Sequence, residues 1–248
     1  MNYLICIDDT DMPGTKGTGW LVEELCGLIT QNGQGTTSHI SRHQLFVHED
    51  IPYTSHNSSM CFELVANPSD IDSIIAFMAG FLELRSEKGS DPGLCVVPIS
   101  DDLNQDRIIE FGKNAKEHVS SKKAAYDLAK DLSIHLSEHG GTGQGVVGAL
   151  AGVGLRLSDN DGRYRGWYHL GLPGEKVLVG RLCQYDFIDQ LVTVDGIVLP
   201  WDTHVHIGSE KTKTVRIGGK QVIIVMENKN KDSDIAFRTL TKEEAKHY

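Results

Sequence analysis

The chain has 248 residues, 40% hydrophobic and 23% charged, with a net charge of −10 at pH 7. This is the make-up of a soluble globular protein of one large or two small domains, with enough chain to bury a real core. No stretch nears the roughly 18 consecutive apolar residues of a membrane span, and Met1-Asn2-Tyr3-Leu4 lacks the charged start and long apolar run of a signal peptide, so the cytoplasm is the expected compartment and a membrane is excluded as partner.

The acidity argues against a general nucleic-acid binder, whose affinity comes mainly from Lys and Arg releasing counterions. It is uneven. Residues 1–100 hold 13 acidic and 4 basic side chains, residues 101–248 hold 21 and 20. The five cysteines, Cys6, Cys26, Cys61, Cys95 and Cys183, are scattered through apolar runs and read as reduced, buried small hydrophobes, with neither a disulfide framework nor a Cys-x-x-Cys zinc pair.

In chain order, Tyr3–Ile7 reads as a buried strand ending abruptly in Asp8, Asp9 and Asp11. Such a cluster repels itself. Its hard oxygen donors suit Mg²⁺, while the plainer reading is a solvated acidic turn. Pro13-Gly14 and Gly17-Thr18-Gly19 form a loop, and Leu21, Val22, Leu25, Leu28 and Ile29 then recur at helical spacing up to Gly33. Thr18 is placed to cap that helix at an end open to an anion, and Lys16 either contacts a phosphate or softens the loop's acidity. Strands are expected at Gln44–His48 and Met60–Val65, joined by the loop Glu49–Asn57. A helix capped by Ser69 or Asp70 carries Ile71, Ile74, Ile75, Met78, Phe81 and Leu82 on one side; after a turn at 89–93, Leu94–Ile99 is of strand length.

Two helices are predicted next, Asn104 to about Val119 and Ser121 to about Glu138, followed by Gly141-Thr142-Gly143-Gln144-Gly145. Gly143-x-Gly145-x-x-Gly148 formally satisfies the dinucleotide fingerprint, but that fingerprint requires a preceding strand within a βαβ unit, and with a helix expected there NAD is rejected. Two readings of the glycines stand: backbone N–H groups that approach a phosphate, or small residues that let the helix from Val146 onward pack tightly. Strands at Tyr164–Leu170 and Val177–Leu182 precede a hairpin-rich end, with strands at 191–194, 203–207, 212–217 and 221–226 and a helical or frayed last dozen residues. The functional division is drawn after residue 190, leaving 191–248 as a small β-rich module. Lys211, Lys213, Arg216, Lys220, Lys229 and Lys231 face Glu210 and Glu227, either as an RNA-contacting patch or as a solvated hairpin face. The pairs His39/His43, His135/His139 and His204/His206 have metal-ligand spacing but no third ligand beside them.

Asp8-Asp9-Thr10-Asp11 with Gly17-Thr18 beyond it, Ile51-Pro52-Tyr53-Thr54-Ser55-His56-Asn57, and Gly141-Thr142-Gly143-Gln144-Gly145-Val146-Val147-Gly148 together resemble, in order and over roughly the first 170 residues, the tRNA-isoleucine agmatinylcytidine (agmatidine) synthetase family. The resemblance implies an α/β (α+β) fold with a kinase-like catalytic part and ferredoxin-like elements at about 60–138. It implies ATP and Mg²⁺, with tRNA and agmatine as partners. In that family the threonine matching Thr18 is phosphorylated, so Asp8, Asp9 and Asp11 would orient or deprotonate it and hold the metal. Lys16, Gly17 and residues 141–145 would contact the nucleotide, and Tyr53, His56 and Asn57 the substrate. The family's longer members carry a zinc ribbon, for which this chain has no cysteine pattern. A small-molecule kinase or phosphohydrolase, or a non-catalytic nucleotide-binding protein, are the alternatives.

Overall fold

The computed structural model of the chain describes residues 1–51, 57–228 and 234–247. Contacts divide it into two units, Met1–Ser158 and Asp159–Tyr248; this division precedes the functional one drawn after residue 190 because Arg163–Tyr164 already pairs with the later strands.

The first unit runs β1 (Asn2–Asp8), α1 (Thr18–Gln31), β2 (Thr36–Thr37), β3 (Ser41–Gln44), β4 (Ser58–Val65), α2 (Ile71–Arg85), β5 (Gly93–Pro98), α3 (Gln105–Asn114), α4 (Lys122–Asp131), β6 (His135–Glu138) and α5 (Gly145–Leu157). Its sheet has the order β6-β5-β1-β4-β3, with β2 also on β4, and these pairings are all antiparallel. Side chains alternate across β1, as strand geometry dictates. Tyr3, Ile5 and Ile7 point into one apolar cluster with Leu25 and Ile29 of α1 and Met78 and Leu82 of α2. Leu4 and Cys6 point into another with Ile108 of α3, Leu128 of α4 and Ala149, Leu150 and Val153 of α5. The sheet is therefore covered on both faces, and the carboxyl end of β1 opens between its coverings.

Cys95, Cys6 and Cys61 lie side by side on β5, β1 and β4 in register. All three are fully buried, and burial is the leading cause that pushes the Cys6 and Cys95 thiols up. Helix α5 lies close above this row because it is glycine-rich where it touches. A Cβ on Gly152 would meet Ser59 Oγ at 2.3 Å and Cys6 Sγ at 2.4 Å, and a Cβ on Gly154 would meet the Ile108 carbonyl oxygen of α3 at 2.0 Å. The tight-packing reading of these glycines therefore holds. Arg156 of α5, 3% exposed, donates to Ser41 Oγ (2.7 Å) and Ser38 Oγ (3.1 Å), and Ser41 Oγ also meets His43 Nε2 (2.7 Å), which pins the helix to β3 and the residues before it.

Several elements differ from expectation. The second predicted strand, Gln44–His48, lies at Ser41–Gln44. The helix expected from Ser121 to Glu138 stops at Asp131, although Ser121 does cap it through Ala124 N. Ser133 then takes φ +53°, and His135–Glu138 is the edge strand β6; Leu132 and Leu136 keep helical spacing while serving different elements. A strand thus precedes the glycine-rich loop after all. The dinucleotide reading still fails, since β6 pairs with β5 antiparallel and α5 does not return to a parallel neighbour of it.

The second unit contains β7 (Arg163–Tyr164), β8 (Tyr168–His169), β9 (Lys176–Leu178), α6 (Val179–Leu182), β10 (Gln190–Thr193), β11 (His204–His206), β12 (Lys211–Thr212), β13 (Val215–Ile217), β14 (Lys220–Glu227) and β15 (Phe237–Thr239). The strand expected at Tyr164–Leu170 is split into β7 and β8, and the one expected at Val177–Leu182 is extended only as far as Leu178 before giving way to the single turn α6. The order is β7-β13-β14-β15-β11-β9, β10 lies parallel to β14, and β8 pairs with β12. Much of the predicted basic stretch is used inside this unit: Arg216 binds Asp159 (2.6 Å) and the Gly219 carbonyl (2.7 Å), Lys220 reaches Gln190 (3.2 Å) and Lys213 sits 4.6 Å from the Trp167 ring centroid. Lys229 and Lys231 lie outside the described residues. Among the described residues, no helix is long and apolar enough to cross a membrane.

Candidate active site

β1 delivers Asp8 to the sheet's end, where its side chain is 8% exposed and lies against α5. Gly148 makes the room: a Cβ there would sit 1.7 Å from Asp8 Oδ2. Burial, followed by the charge of Asp9, holds the Asp8 carboxyl well above its usual range. Asp9 takes φ +53°, an uncommon left-handed conformation for a residue with a side chain, of the kind that collects at functional sites. Its carboxyl is pushed up to about 6 by burial and by the charges of Asp91 and Asp11.

Asp11 turns back to the start of α1. Its Oδ1 accepts from Thr18 N (3.1 Å) and from Thr18 Oγ1 (2.8 Å), and Thr18 Oγ1 accepts from Thr10 N and Thr10 Oγ1, each at 3.2 Å. The capping residue of α1 is Gly17, and Thr18 is the first residue of the helix, so the predicted capping role falls to Asp11. The buried Thr18 hydroxyl is left held between a carboxylate and a donor pair.

Asp8, Asp9, Asp11 and Thr18 line one side of a cavity of about 360 Å³, within the usual size of a small-molecule site. Its other walls are Leu45, Asp50 and Ile51 on the β3–β4 side, Ala115, His118, Val119 and Ser120 after α3, and Gln144, Gly145, Val147 and Gly148 at the start of α5. These walls meet only through tertiary packing, and apart from Ile51, Asn57 and the glycine-rich loop they carry no local signal in the sequence.

The remaining predicted site residues divide. Asn57 lines the cavity, but its Nδ2 donates to the Phe46 carbonyl at 2.6 Å and so braces the wall. Tyr53 and His56 lie outside the described residues. Gln144 and Gly145 line the cavity, whereas Thr142 donates its N–H and its hydroxyl (2.8 Å) to Asp91, and Gly143 donates its N–H to Asp91 at 3.3 Å. Gly141 packs on that same carboxylate. Lys16 stacks on the Trp20 ring, 3.6 Å from its centroid, and neither it nor Gly17 is among the lining residues.

Among the described residues no three His, Cys, Asp or Glu side chains form a group able to hold a metal ion by themselves. One of the histidine pairs has another use: His135 in β6 and His139 just after it share the Ser137 hydroxyl, each at 2.8 Å.

No protein-family model and no curated protein sequence matches the chain. Solved structures do. The crystal structure of TiaS in complex with an isoleucine tRNA and ATP matches 82% of this chain with 50% of its own, at 18% identity and a TM-score of 0.57. Apo TiaS, an agmatidine synthetase acting on that tRNA, matches 80% of this chain with 48% of its own, at 17% identity and a TM-score of 0.55.

The fold is that of the tRNA agmatidine synthetase TiaS.

A TiaS complex with the same tRNA, AMPCPP and agmatine matches 88% of this chain, at 18% identity and a TM-score of 0.55. A tRNA fluorescent labeling enzyme matches 62% of it, at 22% identity and a TM-score of 0.54. The chain spans about half the length of the TiaS structures and 36% of the labeling enzyme. The mixed α/β architecture expected of the sequence is thus the one found, and the cavity lies where the end of β1 meets the start of α5.

Proposed function

We infer that this chain is an ATP-using enzyme of the tRNA-modifying type, which activates an oxygen by phosphoryl transfer at the cavity below β1. One observation carries the reading: the Thr18 hydroxyl, buried at the cavity wall, donates to the Asp11 carboxylate at 2.8 Å beside Asp8 and Asp9. A hydroxyl with a carboxylate at hydrogen-bond distance is the pairing that nucleophilic activation requires. In the proposed step Thr18 Oγ1 attacks the γ-phosphorus, its proton passes to Asp11 Oδ1, the bond from the γ-phosphorus to the bridging oxygen breaks, and ADP leaves.

The donor set fits magnesium. Asp8 and Asp9 offer hard carboxylate oxygens whose raised proton affinity reflects burial first and then the charges of neighbouring carboxylates, the situation a divalent cation relieves. When bound, that ion would neutralise triphosphate charge. In this arrangement Asp8 and Asp9 would hold the cation while Asp11 orients the hydroxyl. Gln144 and Gly145 border the nucleotide, and Leu45, Ile51 and Val119 exclude water from it. TiaS has been crystallised with tRNA, an ATP analogue and agmatine; tRNA and an amine such as agmatine are accordingly the acceptor pair to test first.

The test is ATP turnover with Mg²⁺, with and without bulk tRNA plus agmatine, on wild type, Asp9→Asn and Thr18→Val, with ADP and AMP separated and Thr18 examined by mass spectrometry. Turnover that rises with tRNA and vanishes in both variants supports the reading. ADP release indifferent to tRNA would instead indicate a small-molecule kinase or phosphohydrolase, and absence of nucleotide binding would refute it.

A further inference from the structure

Asp91 stands just before β5, 9% exposed, with its carboxylate turned into the glycine-rich loop. Besides the bonds from Thr142 and Gly143, its main-chain oxygen accepts from Gly145 N at 3.1 Å, so one residue holds both halves of the loop. Gly141 and Gly143 take φ +55° and +76°, and a Cβ on Gly141 would sit 1.8 Å from Asp91 Oδ1. Successive N–H groups closing on one anion in this way form the concavity that elsewhere receives a phosphate. On the outer side Lys122 donates to the Thr142 carbonyl (2.9 Å) and to Glu138.

The geometry points to Asp91 as a positioning residue: an internal anion that fills the nest of the 141–145 loop and thereby sets the wall made by Gln144, Gly145 and the start of α5 beside Asp8 and Asp9. Thr142 and Gly143 are then spent on the protein itself, and the triphosphate meets the cavity without them. This rests on the nucleotide-processing reading above and adds a role that touches no reacting atom.

Asp91→Gly vacates the nest. Steady-state ATP turnover and amide hydrogen exchange at Thr142 and Gly143 are measured on wild type, Asp91→Gly and Thr142→Val, each with and without sodium formate. For Asp91→Gly the expected result is a fall in kcat of about 100-fold, the scale of a displacement near 1 Å, with KM for ATP changed by less than about threefold. Protection at Thr142 and Gly143 is lost, and formate, a carboxylate small enough to refill the nest, restores both protection and kcat. Thr142→Val, which removes one bond and leaves the carboxylate in place, is expected to lower kcat by less and to gain nothing from formate.

A lower KM for ATP in Asp91→Gly with kcat unchanged would overturn the inference, because the vacated loop would then be taking the triphosphate. So would a loss of kcat in a variant that melts like wild type and ignores formate. If Asp91→Gly does not fold, Thr142→Val decides by the same split between kcat and KM. The two readings fail separately: wild type without ATP turnover refutes the proposed function, whereas unchanged exchange at Thr142 and Gly143 in Asp91→Gly refutes the filling of the nest.

Discussion

Gly148→Ala is the sharpest perturbation of the candidate site. The added Cβ would lie 1.7 Å from Asp8 Oδ2 and 3.0 Å from Leu45 Cδ1, so the carboxylate and α5 must separate by roughly 1.3 Å to reach the 3.0 Å that real contacts respect. Neither side yields easily. Asp8 is 8% exposed, and α5 is held by Gly152 on Cys6 and Gly154 on α3. Overpacking of this kind costs about 1–3 kcal/mol, which at roughly 2–4 °C per kcal/mol for a chain of this size lowers the melting temperature by about 2–12 °C. A displacement near 1 Å of a reacting group costs on the order of 100-fold in rate. Thermal unfolding followed by circular dichroism, paired with ATP turnover, reads both. Gly152→Ala is the control, since it strains the same helix without touching a carboxylate: it should melt lower while losing far less turnover. Equal melting temperatures and equal turnover for Gly148→Ala and wild type would refute the packing argument.

Gly80, inside α2 with nothing within 4 Å of a built Cβ, should tolerate alanine and gain about 0.5–1 kcal/mol, measured by urea unfolding. Asp11→Ala removes the acceptor for both Thr18 groups and should cost about 0.5–2 kcal/mol in the same assay, as loss of a helix cap does. Because the Asp9 carboxyl is raised to about 6 from 3.8, its charged form is the disfavoured one in the fold, so it lowers stability as pH rises through that window and is neutral below it; Asp9→Asn should therefore melt higher than wild type at pH 7, with the gap closing near pH 3.8. Glu244 behaves oppositely. Hydrogen bonds from Arg238 depress it to about 2, so its contribution is present above 4.5 and is lost as pH falls toward 2; Glu244→Gln should melt slightly below wild type at pH 7, by about 0.2–1 kcal/mol, and match it at about pH 2.

What the sequence revealed follows from how local each signal is. Tyr3–Ile7, Met60–Val65 and Leu94–Ile99 are apolar runs bounded by turn residues, and the stripes of α1 and α2 repeat at helical spacing; each carries its own evidence. β6 does not, because Leu132 and Leu136 mimic a helix that Ser133 interrupts. The short strands β7, β8 and β9 have too few residues to show a period. The same division applies to the site. Asp8, Asp9, Asp11 and Thr18 are close neighbours in the chain and stand out, whereas Asp50, His118 and Val119 join the cavity from β3–β4 and α3 by packing alone. Asp91 looked like part of an ordinary Ser-Asp-Pro-Gly turn, and only the closed loop around its carboxylate distinguishes it.

The row of thiols across β5, β1 and β4 gives Met1–Ser158 a built-in clock. Cys95, Cys6 and Cys61 are sealed from solvent in the native fold, while Cys183 of the other unit is half-buried. A thiol reagent reacts only with what it can reach as thiolate, so the labelling rate at these three positions times the opening of the sheet's centre itself. Any ligand that enters the cavity beneath β1 and binds only the closed form should slow that clock in proportion to its occupancy.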